Sequence, residues 1–337
     1  MHSAVEFLRE IKKNERVCVV LHNDGDGICS GAIILLLLEE KGLNAEPMII
    51  GRLTNLDMLE EYDKVIMVDV SPDELENNTE KVLIIDHHKR KRRPACIFVN
   101  PAFEQDKVPS ASALCYKLYS LAGGKRNIKW LGLLGAYSDR MLSASLPLLS
   151  MNDSEMNTFL PAGQLDPALT GVTLAFLAGY LKQDMGYAVL DLVLESAKRE
   201  DPMYLWLEKD RKAKEIYQTI ELANKEARSK IINSKLFVDE SKRFVYLDLG
   251  SAEYKIKRIV VDYIRLKYPD YVVSVSMDVN EVTTFSNRSP DRDLSVVIPK
   301  AIEGFPASRH GGHVRAYGCS VQKVDKKRFV RSLLNAL

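Results

Sequence analysis

Short runs rich in β-branched residues alternate with helical or polar stretches through the first third of the chain. The runs are Val17 to Leu21, Ala45 to Ile50, Lys64 to Val70, Lys81 to Ile85 and Cys96 to Val99. Strands that are apolar on both faces are typical of parallel sheets covered by helices. A short amphipathic helix should precede them, because Ala4, Phe7, Leu8 and Ile11 follow helical spacing. The pattern predicts an α/β fold with a doubly wound parallel sheet.

Helices should dominate the chain after Pro109. We expect one to open near Ser110, another to carry Trp130 to Met141, and more to follow between Asp166 and Ala197. The stretch from Asp201 to Lys235 is rich in Lys, Glu, Ala and Ile, with few helix breakers, which predicts one long helix.

Strands and helices should alternate again beyond that helix. Strands are expected at Phe244 to Leu249 and Tyr271 to Asp278, and helices near Tyr254 to Leu266 and Arg328 to Leu337. The 337 residues exceed what one hydrophobic core normally supports. We therefore predict a parallel-sheet domain over residues 1–200, a helical linker over 201–235 and a smaller α/β domain over 236–337.

Composition narrows the functional classes. The chain has 47 Lys and Arg against 46 Asp and Glu, so its net charge of +1 provides no long-range attraction for a polyanion. Its five cysteines are widely spaced without a Cys-x-x-Cys pair, which argues against a disulfide framework or a zinc ribbon. The longest dense apolar run, Ala32 to Leu38, is far shorter than the ~20 residues that span a bilayer. No secretory leader opens the chain, so we expect a cytoplasmic protein with no membrane association.

Five of the six histidines lie in three short motifs that also hold dense clusters of aspartate and glycine. The motifs are His22-Asn23-Asp24-Gly25-Asp26-Gly27, Asp86-His87-His88 and His310-Gly311-Gly312-His313. Imidazole and carboxylate groups are the ligands that borderline divalent metals prefer. The concentration therefore predicts a metal-dependent phosphate site.

The first motif places two carboxylates in a tight turn. Asp24 and Asp26 lie two residues apart, and the glycines between and after them let both side chains face one ion. A calcium loop of the EF-hand type is excluded, because Ile33 occupies the position that requires a bidentate glutamate. A dinucleotide fingerprint also fails, since its third glycine position is Ser30. A polar turn that caps the following helix stays an alternative for this motif alone.

The acidic motifs should converge, because ligands of a doubly wound sheet collect beyond the carboxyl ends of its strands. Asp24, Asp26 and Asp69 follow or end apolar runs, and Asp139 lies beside an apolar helical stretch. Four carboxylates at close range would repel one another unless two divalent cations balanced them. Two ions ~3.5–4 Å apart stabilise the attacking and leaving oxygens at phosphorus. The sequence thus predicts phosphodiester chemistry at a two-metal centre.

The second motif ends a predicted strand. Neighbouring side chains in extended backbone point to opposite sides, so one of His87 and His88 can bind metal while the other faces substrate. Asp86 is then either a ligand or the partner that orients an imidazole. Two surface histidines are the alternative, which the three aspartates at equivalent strand ends make improbable.

The third motif favours an anion site. Without side chains, Gly311 and Gly312 let backbone N–H groups approach an anion closely, and cationic residues flank them, among them Arg309. A tight turn is the alternative interpretation of the glycine pair. Arg288 can equally be a solvated surface charge.

These motifs together resemble those of DHH-family phosphoesterases that carry a C-terminal DHHA1 domain. The four N-terminal motifs of that family correspond to His22-x-Asp24-x-Asp26-Gly27, Asp69, Asp86-His87-His88 and Asp139, and Asn100-Pro101 also fits. Gly311-Gly312-His313, with Ala316 and Gly318, resembles the family's glycine-rich substrate loop, and Arg288-Ser289 resembles its phosphate-holding segment. The spacing is closest to that of the archaeal RecJ-like single-strand exonucleases.

The resemblance implies a role for each residue. His22, Asp24 and Asp69 would bind one manganese ion. Asp26, Asp69, His87 and Asp139 would bind another, so that Asp69 bridges the two; magnesium and cobalt are alternative ions. His88 would orient the scissile phosphate or the attacking water, with Asp86 as a further catalytic residue. The substrate-binding residues would be Arg288, Ser289, Arg309, Gly311, Gly312 and His313.

Three functions stay open at this stage. The first is a manganese-dependent exonuclease on single-stranded DNA or RNA that releases nucleoside 5′-monophosphates. The second is a phosphodiesterase or phosphatase of small nucleotides, such as short oligoribonucleotides, cyclic dinucleotides or 3′,5′-bisphosphates. The third is a replication or repair factor whose interaction with a protein partner dominates. The basic run Lys89 to Arg93 is either a contact for a phosphate backbone or ordinary solvated loop charge.

Overall fold

A computed structural model describes residues 1–50, 59–70, 79–89, 92–105, 107–160, 176, 179, 181–182, 185–201 and 211–337. The chain divides into two compact units, Met1–Thr219 and Ile220–Leu337. Both are α/β, with a parallel five-stranded sheet in the first and a second sheet in the other. The predicted fold class is therefore confirmed.

A parallel sheet forms the centre of the N-terminal unit. Its strands are β1 (Val17–His22), β2 (Ala45–Ile50), β3 (Lys64–Val68), β4 (Val82–Ile85) and β5 (Ile97–Val99). They lie in the order β2-β1-β3-β4-β5 and every pair is parallel. The strand order reverses between β1 and β3, and at such a point the loops diverge and leave a crevice for ligands. The inner strands are buried on both faces, as their β-branched composition predicts.

Helices accompany this sheet. They are α1 (His2–Glu10), α2 (Gly25–Glu40), α3 (Ala111–Leu121), α4 (Lys129–Ser138), α5 (Leu142–Leu149), α6 (Asp153–Phe159) and α7 (Met185–Lys198). Helix α2 is buried over most of its length, and α3 and α4 pack against it. The long helix α8 (Arg211–Asn233) follows, and the boundary between the two compact units falls within it.

Several element ends differ from the predicted ones for local reasons. Strand β3 ends at Val68 because Asp69 has a positive φ of 58°, which strand geometry does not allow. Helix α4 ends at Ser138, although the helix was predicted to continue to Met141. The helix cannot continue because Arg140 takes a left-handed φ of 60°. The predicted helices between residues 166 and 184, and the start of the linker helix at 202–210, lie almost entirely outside the described residues.

The C-terminal unit holds a six-stranded mixed sheet. The strands are β6 (Phe237–Asp239), β7 (Phe244–Ser251), β8 (Val272–Val279), β9 (Val282–Arg288), β10 (Arg309–His313) and β11 (Ala316–Gln322), in the order β10-β11-β9-β8-β7-β6. Helix α9 (Lys257–Lys267) packs on β8 and β9. Helices α10 (Leu294–Ile302) and α11 (Lys326–Ala336) enclose a core with Phe285, Tyr317 and Phe329. Helix α9 begins three residues later than the helix predicted from Tyr254.

Gly311 and Gly312 correct one sequence-based expectation. They were expected in a loop, but they lie in strand β10, which forms an antiparallel hairpin with β11. Their short, glycine-rich segment has no strand-like composition, and only pairing with β11 makes it extended.

Among the described residues, no helix is long and apolar enough to cross a membrane.

Candidate metal centre

Three motifs meet at one edge of the N-terminal sheet. The first motif follows β1, Asp69 follows β3 and Asp86 follows β4, and these strands are neighbours in the sheet. Because the strands are parallel, their carboxyl ends lie side by side at the switch point between β1 and β3. The parallel topology therefore brings the first motif next to Asp69, which lies more than forty positions later in the sequence.

The first group of possible ligands contains His22, Asp24 and Asp69, whose ligand atoms all lie within 4.8 Å of one another. His22 Nδ1 is 2.8 Å from Asp24 Oδ2 and 3.7 Å from Asp69 Oδ2. Asp24 is also the N-cap of α2, where its Oδ1 accepts a hydrogen bond from Gly27 N at 3.1 Å. Asp24 therefore both caps α2 and belongs to the first group of possible ligands.

The second group contains Asp26, Asp69, His87 and Asp139, again with ligand atoms within 4.8 Å. His87 Nε2 lies 3.1 Å from Asp69 Oδ1, 3.4 Å from Asp139 Oδ2 and 3.8 Å from Asp26 Oδ2. Asp69 belongs to both groups. The arrangement has the form of two adjacent cation sites that share one carboxylate.

Asp69 is the most unusual residue of the site. It is buried, and its left-handed backbone is held by a hydrogen bond from its N–H to Ile85 O at 2.9 Å. Among the described residues, neither of its carboxylate oxygens has a hydrogen-bond partner of good geometry, although His87 is close. His22 Nδ1 and His87 Nε2 are also buried without a hydrogen bond of good geometry, although carboxylate oxygens lie 2.8 Å and 3.1 Å from them. Buried polar atoms are normally paired, so these orphaned atoms fit a site for cations.

The charges of the site also indicate a site for cations. Burial and the neighbouring Asp139 raise the pKa of Asp26 to about 6. Burial and Asp24 hold the pKa of Asp69 well above its usual range. Burial alone would lower the pKa of His22, but Asp24 and Asp69 raise it to about 10. The cluster thus holds an excess of negative charge that protons or metal cations must balance.

Asp26 is fixed by the start of another helix. Its two carboxylate oxygens accept hydrogen bonds from the backbone N–H groups of Ala111 (2.8 Å) and Ser112 (3.0 Å), in the first turn of α3. A helix N-terminus favours a negative charge. Gly135 makes room for this contact, since a Cβ there would lie 2.6 Å from Asp26 Oδ1. Sequence analysis did not link Asp26 to α3; the Ser110 cap marked only where that helix starts.

His87 and His88 differ in exposure, as the strand-end position requires. His87 is buried among the carboxylates, whereas the side chain of His88 is 36% exposed. Asp86 Oδ1 lies 2.8 Å from His88 Nδ1, so it can orient that ring. Asp86 also lies in a group with Asp69 and both histidines that meets the same 4.8 Å criterion. Asn100 donates from Nδ2 to His88 O at 2.9 Å and so secures the backbone of the pair.

Met141 is a contact that sequence analysis missed. Its Sδ lies 2.8 Å from His87 Nδ1, on the opposite side of the ring from the aspartates. A proton on Nδ1 would leave Nε2 with its lone pair directed at the carboxylate cluster. No sequence motif predicts that a methionine contacts His87, because the contact depends on the turn after α4.

The predicted substrate-binding residues lie in the C-terminal unit. Arg288 ends β9, where its Nε is 3.6 Å from Asp262 Oδ1. The register pairs Arg288 with Ala316, and Gly311 with Gly318. His313 pairs with Ala316, and Arg309 with Ser320.

Ser289 and Gly312 have structural roles in the same unit. Ser289 is buried, and its Oγ accepts a hydrogen bond from Arg292 N at 2.7 Å. Gly312 has a φ of 145°, and a Cβ there would lie 2.5 Å from Ala316 O.

The basic run is described only in part. Residues 90 and 91 lie outside the described residues, while Lys89, Arg92 and Arg93 lie within them. Arg93 is 3.9 Å from Glu104, an exposed ion pair of little energetic weight.

Comparisons with known proteins give a matching domain and a shared fold. Residues 16–144 match the profile described as DHH family, N-terminal domain. RecJ from Thermus thermophilus, in complex with Mn²⁺, has a TM-score of 0.73 and 18% identity over 99% of this chain. The chain spans about half, 54%, of the length of that RecJ chain.

Two further solved structures share the fold over 99% of this chain. An exonuclease RecJ bound to manganese has 18% identity and a TM-score of 0.65, with 93% of its length covered. The DHH domain of a member of a ribosomal protein family has 16% identity and a TM-score of 0.75, with 89% of its length covered. No curated protein matches the chain by sequence.

Residues 16–144 thus match the N-terminal domain of the DHH family, and the chain as a whole shares the fold of the RecJ structures. The RecJ structures match this chain over 99% of its length, so the shared fold includes both of its compact units. The predicted resemblance to DHH phosphoesterases related to RecJ is therefore confirmed.

Proposed function

We propose that this protein is a manganese-dependent exonuclease that removes nucleoside 5′-monophosphates from single-stranded DNA or RNA. The observation that carries the proposal is the pair of ligand groups that share Asp69. Their buried oxygen and nitrogen atoms include several that lack a hydrogen bond of good geometry. The manganese in two RecJ structures of the same fold supports the choice of ion. The oxygen and imidazole donors also suit magnesium and cobalt.

We further propose how the ligands divide. His22, Asp24 and Asp69 would hold one ion, and Asp26, Asp69, His87 and Asp139 the other. Divalent ions bound there would lower the pKa of the attacking water and stabilise the charge that develops at phosphorus. Asp26, braced by the first turn of α3, and Asp69, held in its left-handed conformation, would keep their positions without reorganisation.

His88 and Asp86 would handle the substrate rather than a metal. The contact between Asp86 Oδ1 and His88 Nδ1 sets the orientation of a half-exposed imidazole at the rim of the cluster. In that position His88 would orient the scissile phosphate or the attacking water. The contact of Asn100 with the His88 carbonyl would preserve this orientation during turnover.

The C-terminal unit would bind the nucleic acid. Arg288, Arg309 and the exposed Gly311 would contact phosphate and backbone, together with His313, Gly312 and the segment at Ser289. Functionally, we propose a catalytic domain over 1–200, a linker over 201–235 and a substrate-binding domain over 236–337.

Other functions make different predictions about substrate length. A small-nucleotide phosphodiesterase would cleave dinucleotides, cyclic dinucleotides or bisphosphates and leave long strands intact. A replication or repair factor acting mainly through a protein partner would show no metal-dependent product. A largely buried cluster of possible metal ligands would be costly to retain in such a factor, and we therefore favour the enzyme.

The deciding experiment is product analysis with Mn²⁺ on 5′-labelled and 3′-labelled strands, from dinucleotides to about thirty nucleotides. Stepwise release of 5′-mononucleotides from long DNA or RNA is the expected result, and the labelled end that shortens would define the polarity. His87→Ala should abolish all products, whereas His2→Ala, which removes the histidine outside the motifs, should leave them unchanged. Cleavage of the shortest substrates alone would contradict the proposal.

A further inference from the structure

The β9-β11-β10 part of the C-terminal sheet has one face that carries small or polar side chains. Cross-strand register places Thr284, Ser320 and Arg309 in one row, Ser286, Gly318 and Gly311 in the next, and Arg288 beside Ala316 in the third. Residues directly opposite in antiparallel strands share a face. We call these rows the open sheet face.

Burial distinguishes the two faces of these strands. On β11, Tyr317, Cys319 and Val321 are buried, whereas Ala316, Gly318 and Ser320 are partly exposed. The buried residues belong to the core with α10 and α11. Strand β9 alternates in the same way, with Thr284, Ser286 and Arg288 partly exposed. The open sheet face is thus accessible, and it has no bulky apolar side chain on β11 or β10.

Lys257 lies at one end of this face. It is the first residue of α9, and its Nζ donates a hydrogen bond to Thr284 Oγ1. The Thr284 hydroxyl in turn donates to Met277 O at 3.1 Å. Among the described residues, no carboxylate forms an ion pair with Lys257. Burial lowers the pKa of Lys257 to about 8, with a smaller contribution from Lys255.

Lys326 of the same unit shows what a partly buried lysine normally requires. Its Nζ lies 2.9 Å from Asp248 Oδ2 and 2.7 Å from Asp278 Oδ1. Hydrogen bonds to these carboxylates more than offset the effect of burial and raise the pKa of Lys326. Lys257 is also partly buried but has no such partners among the described residues, so an anion would provide the counterpart of its charge.

The start of α9 adds to the positive potential around Lys257. No acidic residue occupies its first turn, and the N-cap residue Ile256 provides no side-chain cap. A lysine at this end of a helix opposes the helix dipole instead of complementing it. A bound anion would relieve both unfavourable features at once.

Arg288 and Lys257 mark opposite ends of the open sheet face. Thr284, which Lys257 contacts, lies four residues before Arg288 on the same strand, so their Cα atoms are about 13 Å apart. The Arg288 guanidinium folds back toward Ser286, with its Nη1 3.4 Å from Ser286 Oγ. Successive phosphates of one polynucleotide backbone can contact the two cations separately.

We infer that Lys257, Thr284 and Ser320 form a second phosphate subsite, so that the C-terminal unit selects a strand with several phosphates over a substrate with one. The inference rests on the proposed nuclease function and names its substrate class as oligonucleotides. Arg288 would hold one phosphate and Lys257 another, with the sugar and base over the glycine and serine row between them.

The test compares Lys257→Met with Lys300→Met, a matched loss of one charge. Lys300 is exposed on α10, which packs on the opposite face of the sheet. Binding of a fluorescent strand of about ten nucleotides is measured by anisotropy on the full chain in EDTA, over a range of salt concentrations. Hydrolysis of a dinucleoside monophosphate, which has a single phosphate, is measured with Mn²⁺.

Lys257→Met should weaken strand binding about three- to tenfold and reduce the slope of log K against log salt by about 1. The loss in kcat/KM on the single-phosphate substrate should be smaller than the loss in strand binding, and Lys257→Arg should restore strand binding. Equal weakening by Lys300→Met, or unchanged binding by Lys257→Met, would overturn the second subsite. Equal losses on the two substrates would overturn it too. If the wild-type protein neither binds nor cleaves any strand, the proposed nuclease function fails, and the subsite with it.

Discussion

At the scale of single residues, Asp69 decides what the N-terminal site can be. It is shared by both ligand groups, it adopts a positive φ, and its burial raises its pKa. A non-glycine residue in the left-handed region costs free energy, and such strain is commonly found at functional sites. Asp69 therefore combines a strained backbone with an unfavourable buried charge, and a bound cation would offset the cost of both.

We predict that Asp69→Asn abolishes hydrolysis and Mn²⁺ binding, yet raises the melting temperature of the metal-free protein. The amide removes a buried carboxylate that Asp24 and Asp26 repel. Calorimetric titration with Mn²⁺ and thermal unfolding in EDTA measure the two effects. Asp270→Asn, at an exposed position, should change neither. A metal-free Asp69→Asn protein that melts below the wild type would show that the carboxylate is stabilising instead.

Met141 provides the second prediction at this scale. Met141→Leu keeps the apolar volume but loses the sulfur that contacts His87 Nδ1. We expect Mn²⁺ affinity to fall about tenfold, the usual cost of removing a partner that orients a ligand, with little change in melting temperature. Met141→Gln should recover much of the affinity, because its side-chain oxygen can accept the Nδ1 proton. Equal affinities of all three proteins would show that packing alone orients the ring.

At the scale of elements, the ends of strands and the starts of helices position the candidate site residues. The parallel strands β1, β3 and β4 bring their carboxyl ends together, and the first turn of α3 clamps Asp26. In the C-terminal unit, the register of the β10-β11 hairpin determines which residues lie on the open sheet face. Each site thus depends on pairing between elements rather than on one motif.

The two adjacent glycines of β10 should respond differently to substitution. Gly312→Ala should destabilise the C-terminal unit by about 1–3 kcal/mol, because of its φ of 145° and the contact with Ala316 O. A Cβ on Gly311 meets no atom within 4 Å among the described residues, so Gly311→Ala should leave stability within about 0.5 kcal/mol. Gly311→Ala should nevertheless weaken strand binding. Urea unfolding and anisotropy separate the two effects, and strand binding unaffected by Gly311→Ala would remove Gly311 from the binding face.

At the scale of the whole molecule, stability and metal binding are linked through protons. In the metal-free fold the pKa of Asp26 is raised to about 6 and that of His22 to about 10, from ordinary values of 3.8 and 6.5. The folded state then binds more protons than the unfolded state between those values, so its stability falls as pH rises from about 4 to about 10. Asp24, whose pKa is lowered, gains its stabilisation below that window.

We therefore predict that metal-free stability decreases from pH 6 to pH 9, and that saturating Mn²⁺ raises the melting temperature more at pH 8.5 than at pH 6. The metal replaces the bound protons, and its affinity increases as they leave. Thermal unfolding at matched ionic strength, with EDTA or Mn²⁺, measures both. The chain has two compact units, so a separate probe for each is required. A metal effect independent of pH would contradict the linkage.

Many of the secondary-structure elements could be predicted from the sequence. Strand β1 was predicted over Val17 to Leu21 and runs from Val17 to His22, because a buried, β-branched strand needs no distant partner to be recognised. Helix α3 begins where its Ser110 cap indicated. Strands β9, β10 and β11 were not predicted, since their polar and glycine-rich sequences become strands only through mutual pairing.

The sequence by itself determined the fold class and the chemistry of the motifs, since both follow from local pattern: apolar runs of strand length, and histidines beside aspartates. Only the tertiary structure decided which atoms meet. The Met141 contact with His87, the two N–H groups that hold Asp26, and the position of Lys257 at Thr284 all join residues far apart in the chain. Such contacts depend on strand register and helix placement, which are set by packing of the whole unit and not by any local segment.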